Sequence, residues 1–442
     1  MEPSLTMEPL LTRLHKMLRQ MEEPAEDGAN NALGETVASI QARIRAMVPE
    51  VDTGRSLPHK KTPSGRTTVL HLNYTRGQSE QPVETELEHL RFLARTAKEL
   101  GLRLEILTDT IGRNDVEQQL AKDDYKTLDY AITALQNPVS KWAEDSVEYL
   151  ENGRVAVLNP FDQELLIWAM TEGRKQRWQG KVPPEDLAEV LQEDQLWILL
   201  GVRVNALRMG LEREQAARAK AQPVGHIRAY IEGGNMMVGE DITGQPMVLV
   251  GKDAIAATAN IYQLSDNDVR RLICEDFGLD TIAQVVCVEQ PGQFHLDMGM
   301  LFVGHGVVIL NDSSEALQNA IEIAEMVPCQ TTERMAAKLQ LQCNLENDAA
   351  QDLTAAGLKV RREKLENEVF YNFFNGEFVT GKNGLNYYIT NGGIKAQEER
   401  FAALMTTGWQ IVENVFFSPE QAAHKSLQER GGVGCRIKGA HW

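Results

Sequence analysis

The chain has 442 residues, 43% of them hydrophobic and 24% charged, so it can bury a large core in one big domain or two ordinary ones. Its formal net charge of −18 argues against nonspecific binding to nucleic acid or to an anionic membrane, because both reward Lys and Arg. No apolar run approaches the ~18 residues that span a bilayer, and the first residues lack the order of a secretory signal. The five cysteines do not suggest a disulfide framework, so we expect a cytoplasmic, reducing setting, with export by an unconventional route left open.

The N-terminal part differs in character from the rest. Residues 1 to about 64 predict two amphipathic helices and a polar loop, ending in the Pro/Gly/Lys-rich linker SLPHKKTPSGR. From about residue 65 the run RTTVLHLNY predicts a strand, Pro82 to Leu100 a helix, and LRLEILT a second strand. Strand, helix and strand in this order indicate an α/β layer.

The middle of the chain, from about 160 to 222, is almost wholly helical in pattern and predicts a helical insertion. Strand character then returns, and short strands, hairpins and single helices alternate to the C-terminus. The predicted segments include strands at HIRAYIEGGNMMVG, PMVLVGKD and TIAQVVCVEQ, a hairpin turning at Gly304–Gly306, Asn-Gly turns at Asn375–Gly376 and Asn383–Gly384, and helices at about 266–277, 314–326, 333–344 and 394–407. Repeated ββαβ units would fit this alternation.

Four local motifs could carry chemistry, and the first is Lys141-Trp142-Ala143-Glu144-Asp145. It follows the apolar stretch LDYAITAL, which predicts a helix, and the turn QNPVS. Its carboxylates would then be presented at a loop tip. A solvated acidic loop is the alternative.

The second motif is Glu232-Gly233-Gly234-Asn235, which follows a strand. Consecutive glycines permit close approach of another group, and the acidic residue before them would be held by the strand. A bulge or hairpin turn is the alternative.

The third motif is His295-Leu296-Asp297. Strand alternation places His295 and Asp297 on one face, where the His could move protons and the Asp could hold a cationic substrate. A core His beside a surface Asp is the alternative.

The fourth motif is Gly431-Gly432-Val433-Gly434-Cys435-Arg436, close to the C-terminus. The glycines around the Cys would expose the thiol and leave backbone N–H groups to contact a substrate or to support a thiolate. A buried, inert cysteine is the alternative.

Taken in order, W-x-x-D, E-G-G-N, H-x-D and a glycine-flanked Cys resemble the guanidino-group-modifying enzymes of the pentein superfamily, from about Arg66 to the end. The resemblance implies an α/β propeller of five ββαβ modules with pseudo-fivefold symmetry in residues 65–442, interrupted by the helical insertion. Residues 1–64 would be an N-terminal extension.

The resemblance also implies roles for residues that match its motifs. Cys435 would be the nucleophile, His295 the general acid and base, and Asp145 and Asp297 the carboxylates on the guanidinium, with Glu232 supporting the histidine. Three further residues are expected near the substrate: Trp142, Asn235 and Arg436. Many relatives have His or Arg before the Cys, whereas this chain has Gly434 there and Arg436 after it, which leaves the substrate open.

The leading hypothesis is a deiminase that needs no cofactor or metal and acts on a small guanidino compound or on peptidyl-arginine. Free arginine, agmatine, methylarginine and protein arginine all remain open. An amidinotransferase is one alternative, and a non-catalytic binding or scaffold protein of the same fold is another. We expect no nucleic-acid or membrane partner, and self-association through the extra helices remains open.

Overall fold

The computed structural model describes residues 12, 14, 16–17, 27–77, 79–122, 125–126, 129–145, 147–183, 190–192, 198, 207–292, 294–364 and 371–441. Within these ranges the protein is mixed α/β, with its strands divided among five small sheets. The predicted α/β class is therefore confirmed. No helix in these ranges has the length and apolar character needed to cross a bilayer.

The described strands are short, and most are buried over the greater part of their length. They are β1 Val69–Asn73, β2 Arg103–Asp109, β3 Tyr130–Leu135, β4 Val147–Tyr149, β5 Val155–Leu158, β6 Val224–Ile227, β7 Met236–Glu240, β8 Pro246–Gly251, β9 Val285–Val288, β10 Met300–Gly304, β11 Val307–Asn311, β12 Lys359–Glu363, β13 Gly376–Thr380, β14 Asn386–Thr390, β15 Asn414–Phe417 and β16 Ile437–Ala440.

Four of the sheets contain three consecutive strands each, β4-β5-β6, β7-β8-β9, β10-β11-β12 and β13-β14-β15. In each of them the first two strands are antiparallel and the third is parallel to the second. A parallel neighbour requires a crossover connection, and helices supply it here. The same ββαβ unit therefore occurs in all four sheets.

The fifth sheet, in the order β16-β1-β2-β3, joins the first described strand, β1, to the last, β16. β16 is antiparallel to β1, with Leu72 opposite Ile437, and β1 is parallel to β2. This pairing completes a fifth ββαβ unit and brings the C-terminal segment back to the start of the sheet region.

Helices fill the crossovers and cover the sheets. They are α1 Asp27–Arg45, α2 Glu84–Leu100, α3 Thr110–Lys122, α4 Gln163–Trp178, α5 Leu207–Ala219, α6 Lys252–Tyr262, α7 Asp266–Phe277, α8 Ser314–Met326, α9 Gln330–Ala355, α10 Lys395–Ala403, α11 Glu420–Gln428 and the single turn α12 Val433–Arg436. Most predicted helices occur where expected, and α9 is longer than its predicted range of 333–344.

The helix predicted for LDYAITAL is wrong, because this run contains strand β3. Its Tyr130 lies opposite Leu104 in a parallel ladder with β2. The β-branched and aromatic residues of the run suit a strand, and pairing with a neighbouring strand outweighs the helical spacing of its apolar residues.

The segment before β1, expected as a linker, is bonded into the body of the fold. The backbone N–H of His59 donates to Tyr149 O at 2.8 Å, and that of Lys61 donates to Val238 O at 3.0 Å. Upstream, α1 contributes Val37, Ile40 and Ile44 to the core. The first predicted N-terminal helix lies largely outside the described residues.

The predicted helical insertion lies in the crossover between β5 and β6. Its described helices are α4 and α5. The side chain of Asp162 caps α4 by accepting a hydrogen bond from the N–H of Leu165 at 2.9 Å. The rest of the prediction, in residues 184–189, 193–197 and 199–206, lies outside the described residues.

Candidate active site

Cys435 lies in α12, immediately before β16, and is 2% exposed. The glycines around it were expected to expose the thiol, and that expectation is wrong. A Cβ on Gly434 would lie 2.9 Å from the backbone nitrogen of Gly376, and one on Gly432 would lie 2.5 Å from Asn375 Oδ1. The glycines therefore allow the Cys-bearing turn to pack closely against β13 and the loop before it.

Asn375 connects the thiol to Asp297. Its Nδ2 donates to Cys435 Sγ at 3.3 Å and to Asp297 Oδ2 at 2.7 Å, and its Oδ1 accepts from the N–H of Cys435 at 3.3 Å. The sequence analysis missed this residue because it interpreted Asn375–Gly376 as a hairpin turn. In the structure Gly376 begins β13, and the clustering of Asn372, Asn375 and Asn391 is the signal that could have drawn attention to it.

His295, which is buried, pairs with Glu232, which is partly exposed. His295 Nε2 lies 2.7 Å from Glu232 Oε2, and Tyr230 Oη donates to Glu232 Oε1 at 2.5 Å. His295 Nδ1 is buried and has no hydrogen-bond partner in the described part of the chain. One imidazole nitrogen is therefore fixed by a carboxylate while the other faces the interior of the site.

The predicted strand at His295-Leu296-Asp297 is wrong. Leu296–Met298 is a 3₁₀ turn between β9 and β10, with His295 at its N-cap. Glycines at 292 and 299 flank the turn, and their missing side chains let its two ends pack together. His295 and Asp297 still face one point, because both side chains lie against Gly234.

The two glycines of E-G-G-N allow this close packing. A Cβ on Gly234 would lie 2.6 Å from His295 Nδ1 and 2.8 Å from Asp297 Oδ1. A Cβ on Gly233 would lie 2.7 Å from Glu144 Cγ, and the N–H of Gly233 donates to Asp145 O at 3.1 Å. The E-G-G-N loop therefore contacts both the His295–Asp297 turn and the Glu144-Asp145 pair.

Three carboxyl groups lie beside the thiol. Ligand atoms of Glu144, Asp145 and Cys435 all lie within 4.8 Å of one another. The N–H of Glu144 also donates to Cys435 O at 3.2 Å. Asp145 Oδ1 and Asp297 Oδ1 are buried and accept no hydrogen bond from any described residue.

Glu144 is bonded to Lys61, whose ammonium also donates to Gly233 O at 2.7 Å. The sequence analysis gave neither Glu144 nor Lys61 a role. Lys61 was overlooked because a Lys within a Pro/Gly-rich stretch is typical of a solvated linker. Lys61 bonds Oε1 of Glu144 and leaves Oε2 without a partner among the described residues, so Glu144, Asp145 and Cys435 could together offer three ligand atoms, one fewer than the four of a structural zinc site.

Burial and like charges raise the pKa values of Asp145, Asp297 and the Cys435 thiol. Burial, with the charges of Glu232 and Glu144, raises the pKa of Asp145 to about 7 against the opposing effect of His295. Burial and Glu144 raise the pKa of Asp297 well above its usual range. Burial and the three carboxyls Asp297, Asp145 and Glu144 raise the pKa of Cys435 well above that of a free thiol.

The pKa of His295 is shifted in the direction that favours the protonated imidazolium. Burial would lower the pKa of His295, but the hydrogen bond and charge of Glu232, with Asp145 and Asp297, raise it to about 9. At neutral pH the site therefore holds an imidazolium, a thiol, and two carboxyl groups, Asp145 and Asp297, that would lose their protons to solvent when a cation binds beside them.

The other predicted substrate residues occupy different surroundings. Trp142 packs against Cys435 and lies over Gly431. Arg436 donates to both Glu86 oxygens, at 2.5 and 3.1 Å, and to Ser426 Oγ at 2.8 Å, with its guanidinium 5.3 Å from the Trp142 ring. Asn235 is buried against Gly251. The Trp142 side chain packs against Cys435, whereas the side chain of Arg436, the next residue in the chain, is directed toward Glu86 and Ser426.

Comparison with known proteins found no matching family model and no matching curated relative. Among solved structures, the chain is similar to a protein assigned as an agmatine deiminase, with a TM-score of 0.57 at 10% identity, over 88% of this chain and 96% of that one. It also matches ArgZ, an arginine dihydrolase from cyanobacteria, with 11% identity over 84% of this chain and 39% of that one, but the TM-score of 0.36 is too low to support an argument. The first likeness establishes a shared fold, and the motif resemblance to guanidino-modifying enzymes is confirmed at that level.

Proposed function

We propose that the protein is a cysteine-dependent hydrolase that deiminates a guanidinium compound. The observation that carries the proposal is the convergence of Cys435, His295, Asp145 and Asp297 on one buried point, with an acceptor oxygen of each Asp unoccupied. The shared fold with a protein assigned as an agmatine deiminase supports the same class of reaction. The five ββαβ units would form an α/β propeller in residues 65–442, with the site at its centre and the insertion near 160–222 outside it.

A guanidinium would bind here because it is flat, cationic and rich in N–H donors. Asp145 and Asp297 would each accept N–H bonds from an edge of the plane, which fixes its orientation. Its central carbon would then lie about 3–3.5 Å from Cys435 Sγ, a distance suited to attack. Binding of the cation would favour ionised Asp145 and Asp297, whose empty-site pKa values are raised.

The same cation would help to activate the thiol. Without substrate, burial and the neighbouring carboxyls keep Cys435 protonated. A guanidinium between the carboxyls adds a positive charge close to Sγ and lowers the cost of forming the thiolate. The Nδ2 donor of Asn375, 3.3 Å from Sγ, would stabilise the thiolate further.

The reaction would proceed in two halves. Sγ of the thiolate adds to the guanidinium carbon, His295 protonates one terminal nitrogen, and the C–N bond breaks to release ammonia. The amidino-thioether that remains is attacked by water, whose proton returns to His295. The C–S bond then breaks and the added hydroxyl loses its remaining proton to solvent, which releases the ureido product and regenerates the thiolate. Proton transfer of this kind contributes typically ~10²–10⁴-fold to the rate.

A panel of arginine, agmatine, methylarginines and an arginine peptide, scored for ureido product and ammonia, tests the proposal. We expect one class to be turned over and Cys435→Ser to reduce kcat by at least ~10³-fold. Cys329→Ser is the matched control, since Cys329 is exposed. Turnover by Cys435→Ser at the parental rate would eliminate Cys435 as the nucleophile, and product formation only with an added amine would favour the amidinotransferase.

The chemistry needs Cys435 as a thiol. All five cysteines are free in the structure. A cytoplasmic, reducing setting would preserve them in that form. We propose a small guanidino compound or a peptidyl-arginine as the substrate, because the site is built around the guanidinium and the described contacts do not distinguish what lies beyond it.

A further inference from the structure

The segment from His59 to Thr68, which we call the entry segment, contacts the first strand of each of the five sheets. Its backbone bonds join His59 to β4 at 2.8 Å, Lys61 to β7 at 3.0 Å, Thr67 to β13 at 2.7 Å and Thr68 to β16 at 3.0 Å. Its turn Pro63–Gly65 packs against β10. These contacts with all five sheets fix the entry segment and therefore the positions of its side chains.

Within the entry segment, the side chain of Lys61 points into the candidate active site. Its Nζ bonds to Glu144 Oε1 and donates to Gly233 O at 2.7 Å, and the side chain is 10% exposed. Glu144 precedes Asp145, and Gly233 follows Glu232. One ammonium thus connects the loop that carries a substrate carboxylate to the loop that carries the partner of His295.

We propose that Lys61 is a positioning residue that sets the charge of the active site: it joins the two loops and keeps Glu144 ionised beside Asp297. This inference rests on the proposed function, because it concerns how the same site receives a cation. Lys61 need not touch the substrate, since it acts through Glu144.

The charges around Lys61 account for this role. Burial would lower the pKa of Lys61, but Glu144, Glu148 and Asp297 raise it, so Lys61 stays a cation. Burial would raise the pKa of Glu144, but Lys61, Lys438 and His295 lower it. The charged groups that face this pair from neighbouring elements are Asp145, Glu148, Glu232, His295, Asp297, Glu377 and Lys438.

The sign of the effect follows from these charges. Asp297 has a pKa raised by burial and Glu144 and lowered by His295 and Lys61. Removing Lys61 alone makes protons bind more tightly to Glu144 and Asp297 and moves the acid limb of the pH profile up. Glu144 raises the pKa of Asp297 more than Lys61 lowers it. When the charges of both Lys61 and Glu144 are removed, the pKa of Asp297 therefore falls and the acid limb moves down. A purely structural role predicts no such reversal.

The test compares Lys61→Met, Lys61→Arg and Lys61→Met/Glu144→Gln with the parent, and Lys60→Met is the matched control. Lys60 is the next residue in the segment, but it pairs with Glu240 at 3.2 Å, outside the site. We expect Lys61→Met to reduce kcat/KM about 100-fold and to raise the acid limb by about one pH unit. Lys61→Arg should restore part of the activity, and Lys60→Met should match the parent.

Binding of guanidinium chloride, measured by calorimetry against pH in a Cys435→Ala background, gives a second readout that needs no turnover. The acid limb of affinity should move up for Lys61→Met and down for the double variant. If the parent acts on no guanidino substrate, the proposed function fails and this binding arm alone decides the role of Lys61. An acid limb that does not shift in either assay, or the absence of guanidinium binding, overturns the inference. If Lys61→Met does not fold, the double variant replaces it in both assays.

Discussion

At the scale of single residues, the candidate site is defined by unsatisfied negative groups. Asp145 and Asp297 each bury a carboxyl oxygen without a partner among the described residues. Buried polar atoms without partners are costly, and a site that tolerates them is prepared for a ligand that supplies the missing donors. A planar cation supplies several at once. The pKa values of the site follow the same logic and lead to two predictions.

The first prediction concerns Glu232→Gln. In the parent, kcat/KM should follow a bell. Its acid limb comes from Asp145, whose pKa is raised to about 7, and from Asp297, whose pKa is also raised, and its basic limb lies near pH 9 and comes from His295. The loss of the Glu232 charge lets the pKa of His295 fall, so the basic limb should move down by about one unit or more. The pH dependence of kcat/KM measures the shift. Glu413→Gln, an exposed control, should leave both limbs in place, and an unmoved basic limb in Glu232→Gln would contradict the pairing.

The second prediction concerns Asn375→Asp. The change replaces a donor on Cys435 Sγ and Asp297 with a carboxyl group, so the pKa of Cys435 should rise further. One pKa unit is a tenfold change in thiolate, so alkylation of Cys435 by iodoacetamide at pH 8 should slow by about tenfold or more. Asn383→Asp, at another Asn-Gly pair, is the control and should react at the parental rate. Equal rates for the two variants would remove Asn375 from the activation of the thiol.

At the scale of elements, sequence periodicity predicted most helices and strands but not their local exceptions. Helix α7 falls on its predicted range, and the hairpin β10–β11 turns where the glycines indicated. The His295–Asp297 turn and strand β3 were assigned wrongly, because a three-residue 3₁₀ turn and a short apolar run carry little periodic signal. Their conformation depends on neighbours that are distant in sequence, such as Gly234 for the turn and β2 for the strand.

The E-G-G-N loop gives a prediction at this scale. Gly234→Ala would place a methyl group 2.6 Å from His295 Nδ1 and 2.8 Å from Asp297 Oδ1, so one of these side chains must move. A displacement of about 1 Å can reduce the rate ~10²-fold, and kcat/KM should fall by that order. Gly408→Ala is the matched control, because its nearest neighbour would be 3.6 Å away. Parental kinetics in Gly234→Ala would mean that His295 and Asp297 do not need this spacing.

At the scale of the whole molecule, the sequence predicted a C-terminal nucleophile but not the contacts that hold it. Strand alternation reveals each strand by itself, whereas the pairing of β1 with β16 joins residues such as Val69 and Ala440 across almost the whole chain. Nor did the pattern of the entry segment reveal its contacts with all five sheets, because Pro and Gly give only a local signal. The sequence could name Cys435, His295 and the two Asp residues, and Glu144 as a loop-tip carboxylate. The parts of Lys61 and Asn375, and the bond of Glu144 to Lys61, emerged only from the tertiary packing.

The same packing buries ionisable groups in the body of the protein, and Glu377 on β13 is one of them. It is 3% exposed, and its Oε1 has no partner in the described ranges. Burial, with Glu144 and Glu148, raises its pKa to about 8 against the opposing effects of Lys61 and Lys438. Since the pKa of an unfolded Glu is about 4.3, the folded protein binds the proton more tightly than the unfolded chain does.

Stability from this proton is therefore present in full below about pH 4.3 and is lost as the pH rises toward 8. Glu377→Gln cannot lose a proton, so its free energy of unfolding should fall less steeply between pH 5 and 8, by up to ~1.4 kcal/mol per pH unit. Urea unfolding at several pH values measures the two slopes. Glu413→Gln, on the exposed side of the same sheet region, should keep the parental slope. If Glu377→Gln also keeps the parental slope, Glu377 is ionised in the folded protein and the neighbouring cations compensate its buried charge.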